Sequence, residues 1–462
     1  MSPSNRAARD ENLAEASEAV CRMGSMMLHA GTGSYRVKAA MGRVAQALGI
    51  DQLEAQVGLT EIVVTTRAGR SFRTQVVEVP APVVNADRIA ALMRVSLRAE
   101  PGLSATVLNR QLDVLVANAR HYPTGAIVAG AAAACAAFAF LNNGRWQECL
   151  AAAIAAGCGK LVQLLLRRLH LNHLVIIAVA ATTACLVYML SAQLLQHLLP
   201  TAENPLHEAA FTSAILFLVP GFPLLTAALD LARFDFTSGV SRLLYASLIT
   251  LAAALGAWLV AWAFGLTPGE IEPLGLPAGV MLLVRVVASF VGVLGFAVTF
   301  NTPMNAALAA SVIGAVANVG RLAAVDAGWN PLLCAAAATT LIGLLAGWFS
   351  QRLATPRIIL SVPAVLIMIP GAATFRALVA VINKDPLSGL SNGFTALGIV
   401  IALASGLVIA RMLTDQAWLS QTPSWTHMPA THAQEVLRER ARRTGRAQPR
   451  AFDPDGDGNG SS

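Results

Sequence analysis

The sequence predicts a polytopic α-helical membrane protein with ten transmembrane helices. They form two inverted five-helix repeats, preceded by a small α/β (α+β) soluble domain. Three observations carry this reading. Of 462 residues, 55% are hydrophobic and only 13% charged, where soluble domains carry roughly a quarter charged residues; mean hydropathy is +0.60. Second, the apolar half is written twice: Phe138, Asn143, Leu150 and Asn172 recur 158 residues later as Phe296, Asn301, Leu308 and Asn330. Third, Pro220-Gly221, Asp235 and Ser238-Gly239 recur 150 residues later as Pro370-Gly371, Asp385 and Ser388-Gly389. A duplicated membrane unit with an interrupted helix in each copy is the sequence mark of a secondary transporter.

The chain divides by charge into residues 1–122, a soluble α/β domain; 123–266, the first membrane repeat; 267–412, the second; and 413–462, a basic, partly disordered tail. The first 30 residues lack an apolar core, so no cleavable signal is expected. In the soluble domain, Leu13, Ala16, Val20, Met23 and Met27 share one helix face, and Val37, Met41, Val44 and Leu48 another, stopped by Gly49. Two β-rich runs follow, Gln56–Thr66 and Ser71–Val79. Asn85 and Ser104 are placed to cap a third and a fourth helix. The glycine-rich segment from Gly31 to Arg36 ends at a helix start. It reads as a tight interhelical turn, with anion binding as the functional alternative. No catalytic constellation stands out, so the chain is read as not an enzyme. The six cysteines show neither metal-ligand nor framework spacing, and no metal, cofactor or nucleic-acid partner is expected.

Ten apolar stretches are long enough to span, allowing for tilt: 124–141, 149–166, 174–195, 209–229 and 243–264, then 279–300, 306–324, 332–349, 358–382 and 394–409. Five spans per copy is odd, so the second copy must enter the membrane from the opposite side. With residues 1–122 in the cytoplasm, the inner loops hold Arg167, Arg168, Arg233, Arg242, Arg352 and Arg357. The outer loops hold Arg145 and Lys384 with Glu203, Glu208, Glu270 and Glu272, which is the positive-inside pattern. Both termini are then cytoplasmic. In the tail, Thr431 and Gln434 form a capping box before a basic helix with Arg438, Arg440, Arg442 and Arg443. The acidic end, Asp453 to Gly458, imitates a calcium loop but lacks its twelfth-position acid.

Within the spans, Pro220 and Pro370 each remove a backbone donor, which deprives the carbonyls of Leu216 and Leu366 of their helical partners. Gly221 and Gly371 let the chain turn, and Pro223 follows the first break. These residues form the expected substrate pathway, since interrupted helices at bilayer depth line cavities. Arg285 and Arg376 are its candidate carboxylate binders, because guanidinium takes carboxylate in a fork; snorkelling or structural pairing is the alternative. Asn301 is an uncharged candidate for the path, and Asp230 the proton-coupling candidate. Lys160 is expected to snorkel inward. Its surroundings, Gly157-Cys158-Gly159-Lys160, lack the P-loop pattern.

The chain resembles the threonine/serine exporter family from about residue 10 to 415. The residues that carry the resemblance are Gly33-Ser34-Tyr35-Arg36-Val37 with Met41 through Gly49; Leu218-Val219-Pro220-Gly221-Phe222-Pro223 with Asp235 and Ser238-Gly239; and Ile369-Pro370-Gly371 with Ser388-Gly389. Lys38 departs from it, standing where an acidic residue commonly follows the Arg-Val pair. The resemblance implies proton-driven export of small amino acids such as threonine and serine across a bacterial-type inner membrane. Some relatives are linked instead to dicarboxylate export. Expected partners are a small amino-acid or carboxylate substrate, protons and the lipid bilayer, with oligomerisation open. A passive channel of the same architecture and a membrane-anchored enzyme or receptor acting through residues 1–122 are the competing readings.

Overall fold

The computed structural model describes residues 3–119, 121–198, 208–266, 274–382, 384–415 and 418. The expectations for Glu203, for Glu270 and Glu272, and for the tail features between Thr431 and Gly458 lie outside the described residues.

The N-terminal unit is built from α1 (Pro3–His29), α2 (Ser34–Ala47), strands β1 (Gln52–Val57), β2 (Glu61–Ala68) and β3 (Ser71–Glu78), then α3 (Ala86–Arg98) and α4 (Ala105–Ala117). The strands form one antiparallel meander. Its core joins Val20, Met27, Met41, Val44, Val57, Ile62, Leu92 and Leu108. Asn85 caps α3 by accepting from the Arg88 N–H at 3.0 Å, and Ser104 caps α4 through the Val107 N–H at 3.3 Å. Gly49 follows α2 with φ +80°, the left-handed cap that glycine adopts without strain. The first β-rich run is two strands rather than one. Gly58 reverses the chain, its N–H bonding the Glu61 carbonyl at 2.8 Å, and Val57 faces Ile62 across the turn.

Among the described residues, eight helices are long and apolar enough to cross a membrane: α5 (Thr124–Leu141), α6 (Trp146–Arg167), α7 (His173–Leu198), α10 (Phe236–Ala263), α11 (Ala278–Thr299), α12 (Met304–Asp326), α13 (Pro331–Arg352) and α16 (Pro386–Thr414). The fourth and ninth apolar stretches are interrupted. The fourth is α8 (Glu208–Ser213), a 3-10 turn at Leu216–Leu218 and α9 (Gly221–Leu231); the ninth is α14 (Arg357–Leu366) and α15 (Gly371–Ile382).

Side-chain size decides which face of each long helix turns inward. On α10 the buried positions include Ala252, Ala253, Gly256 and Ala257, while Leu244, Leu248, Leu251, Leu255 and Leu259 face outward. Apolar tails solvate leucine as well as protein does, so helices associate through small residues that let backbones approach. The crossing of α5 on α11 is the clearest case. A Cβ on Gly295 would lie 2.3 Å from the Gly130 carbonyl oxygen.

The sequence repeat is also a backbone repeat. Asn143 and Asn301 both take left-handed φ, 65° and 57°, closing α5 and α11. The next residues, Gly144 and Thr302, donate to the Ala139 and Ala297 carbonyls at 2.8 and 2.9 Å. Asn172 and Asn330 each accept from the N–H two residues on, at 2.8 and 2.9 Å. Phe234 and Lys384, 150 residues apart, share φ near 60° (59° and 62°). Packing repeats as well: α5 contacts α6 and α8 as α11 contacts α12 and α14, and α10 meets α7 and α9 as α16 meets α13 and α15. Between copies, α8 lies on α15 while α9 lies on α14, and α10 touches α15 as α16 touches α9.

Candidate functional site

The two helix breaks have the same local chemistry. Val219 N–H bonds the Leu216 carbonyl at 3.0 Å and Gly221 N–H reaches back to the Val219 carbonyl at 2.8 Å; Ile369 with Leu366 (3.2 Å) and Gly371 with Ile369 (2.9 Å) match them. The carbonyls of Leu216 and Leu366 are therefore not left open, as the missing proline donors alone would suggest. The chain tightens into i to i+3 bonds before each proline and satisfies them locally. A new helix then starts, with Leu224 and Thr374 donating to the Pro220 and Pro370 carbonyls at 3.0 and 3.1 Å. Pro223 sits in the first turn of α9, where a missing donor costs nothing.

These breaks lie against each other. Gly221 packs so closely on Leu366 that a Cβ there would fall 2.0 Å from Leu366 Cδ2. Gly371 faces the Phe138 ring at ordinary contact distance, 3.5 Å from where its Cβ would stand. Two half-helix N-termini thus begin at this junction, that of α9 buried and that of α15 half-buried, and such ends attract anionic groups.

Lys160 lies next to this junction and does not snorkel. It is 7% exposed, its Nζ donates to Gln163 Oε1 at 2.9 Å, and it stands 5.8 Å over the ring of Phe217 in the 3-10 turn. An ammonium has three donors, and no carboxylate is paired with this one among the described residues. In the sequence it reads as a cation that snorkels inward from an apolar run. Burial of its charge against Gln163 and the Phe217 ring is the signal that marks it, and that signal is three-dimensional.

The other candidates are spread out. Arg285 on α11 pairs with Asp326 at the end of α12. Arg376 lies half-buried on α15. Asn301 joins the N-terminal unit to α11: its Oδ1 accepts from the Tyr122 N–H at 3.2 Å and its Nδ2 donates to Asn85 at 3.1 Å. Beside it, the Ala86 and Asp87 N–H groups, orphans of the first turn of α3, bond the two carbonyls just past the end of α11, those of Phe300 and Asn301, at 2.9 and 3.1 Å.

Asp230 is fully buried at the foot of α9. Arg242 of α10 pairs with it at 3.2 Å; Ser238 Oγ and the Ser34 N–H donate to the same oxygen at 3.0 and 3.2 Å. Arg242 also reaches the Thr32 carbonyl at 2.9 Å. Ser34 Oγ and Lys38 Nζ bond Asp235 at 2.6 and 2.5 Å. The turn between α1 and α2 does hold an anion at a helix N-terminus, and that anion is an aspartate of the membrane bundle. Gly33 allows the approach, since a Cβ there would lie 3.2 Å from Asp230 Oδ1. Lys38, at the position where an acid was expected, supplies the cation for Asp235.

Long apolar helices, with two further apolar stretches broken where they meet at Gly221 and Leu366, define a multi-pass membrane protein. Family models agree: one described as "Putative threonine/serine exporter" matches residues 18–265, and one described as "Threonine/Serine exporter, ThrE" matches residues 285–413. The chain belongs to the threonine/serine exporter family, in a fused single-chain form. It is 24% identical over 420 residues to the "Probable threonine/serine exporter" of Mycobacterium tuberculosis, covering 85% of this chain and 75% of that one. It is 24% identical over 410 residues to the threonine/serine exporter of Corynebacterium glutamicum, covering 85% and 81%. To the "Probable succinate transporter subunit YjjP" of Escherichia coli it is 29% identical over 250 residues, 53% of this chain and 92% of that one. No solved structure matches.

Proposed function

We propose that this protein is a secondary active exporter of small polar amino acids of the threonine/serine kind, driven by protons across a bacterial inner membrane. The observation that carries the reading is the pair of Pro-Gly breaks brought into contact, Gly221 against Leu366. In this reading the two interrupted stretches count as spans, giving ten. Residues 123–266 and 267–412 are then inverted five-helix repeats, and 1–122 with the tail 413–462 lie in the cytoplasm. The crossed pairing of α8 with α15 and of α9 with α14, first half on second half, supports inversion. A pseudo-two-fold axis in the membrane plane would pair the first half of one broken helix with the second half of the other.

The substrate carboxylate would sit at the N-termini of α9 and α15, with Pro220, Gly221, Pro223, Pro370 and Gly371 shaping the passage. Lys160 supplies the nearby positive charge. Arg285 and Arg376 remain proposed contributors farther along, and Asp230 the proposed proton carrier. Relatives named for threonine and serine export along most of their length support the amino-acid cargo. The YjjP match supports a second reading, a small dicarboxylate such as succinate.

Reconstitution into proteoliposomes decides among these readings. Efflux of threonine or serine against a gradient, abolished by an uncoupler, is the expected result. Succinate efflux with no amino-acid efflux would move the assignment to the second reading. Movement only down the gradient, insensitive to the uncoupler, would make the protein a channel.

A further inference from the structure

A second cluster of cations lies where the N-terminal unit meets the second membrane copy. Arg36 of α2, Arg357 and Ser361 of α14 and Arg411 of α16 line one small cleft, floored by Leu229 and Gly343. Its free space is about 20 Å³, room for one water-sized group or one end of a small solute. Arg36 is only 6% exposed, and its Nη1 has no hydrogen-bond partner. An orphaned, buried guanidinium nitrogen is costly and rarely kept without a use.

The neighbours do not supply the missing acceptor. Arg411 is held by Asp415 at 3.2 Å and donates to the Tyr35 hydroxyl at 3.2 Å. Arg357 donates to Thr414 Oγ1 at 2.6 Å. Asp230 pairs with Arg242 through Oδ2, and its Oδ1, itself without a hydrogen-bond partner, does not accept from Arg36. Burial pushes the Arg36 guanidinium down to about 10, with Arg411 and Arg357 adding to the effect and Tyr35 and Asp230 opposing it; it stays charged at neutral pH. Three guanidiniums and a hydroxyl thus converge with one described carboxylate among them, that of Asp415.

We propose that Arg36, Arg357, Arg411 and Ser361 form an anion site that takes the carboxylate of a small solute at the junction of the N-terminal unit and the second repeat. Guanidinium binds carboxylate in a fork, and the Ser361 hydroxyl completes the donor set. The choice of carboxylate over other small anions rests on the export reading; the existence of an anion site does not. Because the site draws residues from α2, α14 and α16 together, an occupied site ties the N-terminal unit to the second copy.

The test is thermal unfolding of the purified full chain in detergent, titrated with sodium acetate, sodium succinate and sodium chloride at matched ionic strength. Saturable stabilisation by acetate or succinate, well beyond that by chloride, is expected. In Arg36→Gln and in Arg357→Gln the apparent Kd should weaken about tenfold, the effect of one charge-assisted hydrogen bond. Arg357 is half-buried, so its variant keeps the test readable if Arg36→Gln does not fold. No saturable stabilisation of the wild type by either carboxylate, or unchanged affinity in Arg357→Gln, overturns the site. Proteoliposome efflux is read separately: lost binding with intact efflux removes this site alone, while intact binding without efflux removes the export reading alone.

Discussion

Lys160 and Asp230 are both buried charges, and their surroundings set opposite expectations. Asp230 has a buried partner, so removing its charge strands Arg242, at a cost of about 3–5 kcal/mol. Asp230→Asn should therefore lower the unfolding midpoint in detergent clearly, and Asp230→Asn with Arg242→Met should recover most of the loss. An unchanged midpoint in the single variant would mean the pair contributes little. Lys160 has one neutral partner, Gln163, and its ammonium is desolvated without an opposite charge to offset it. Lys160→Met should raise the midpoint while reducing export by tenfold or more, the stability–function trade-off expected of a binding residue. Export at the wild-type rate would show that the charge serves neither substrate nor coupling.

At the level of elements, the two breaks look equivalent in sequence and differ in what surrounds them. Gly221 meets Leu366 with no room for a Cβ, whereas Gly371 has ordinary clearance to Phe138. Gly221→Ala should then abolish export and Gly371→Ala should leave most of it. Leu366→Ala added to Gly221→Ala should restore a measurable part of the rate. Equal loss in both single variants would mean that backbone freedom, and not this contact, is what the glycines provide. Much of the layout was legible from hydropathy: the stretch 124–141 is α5 to the residue, and the Pro-Gly pairs fall at both breaks. The expected fifth and tenth stretches, 243–264 and 394–409, begin seven or eight residues late, because α10 starts at Phe236 and α16 at Pro386. The first turns of α10 carry Thr237, Ser238, Ser241 and Arg242, which read as loop. They are helical because Ser238 and Arg242 find Asp230, Thr226 and Thr32 across the interface. The same reason hid the arginine cleft: its members come from α2, α14 and α16, far apart in the chain.

At the scale of the whole molecule, the described contacts that fasten the N-terminal unit to the bundle include the Asp230–Asp235 side, the Asn301 side and the Tyr35–Arg411 hydrogen bond. Gly33→Val forces a side chain into the first and should loosen it. Limited proteolysis between α4 and α5 should then accelerate several-fold while the bundle stays folded, and an unchanged cleavage rate would mean that the Asn301 and Tyr35–Arg411 contacts hold the unit without it. The orientation of the two repeats is open to a sharper test. Phe234 and Lys384 are exposed, share the same left-handed conformation and lie at matched places in the two copies. They already hold non-glycine side chains at positive φ, so cysteine adds no new backbone strain at either. In a parallel repeat the two sites face the same compartment; in an inverted repeat they face opposite ones. Phe234→Cys and Lys384→Cys, each made in a background with the six native cysteines replaced, are to be labelled in intact cells and in inside-out vesicles with a membrane-impermeant maleimide. Labelling of the Lys384 variant only from outside and of the Phe234 variant only from inside is the expected result. Labelling of both from one side would leave the matched Pro-Gly breaks as a duplication without inversion, and the pairing of α8 with α15 would need another explanation.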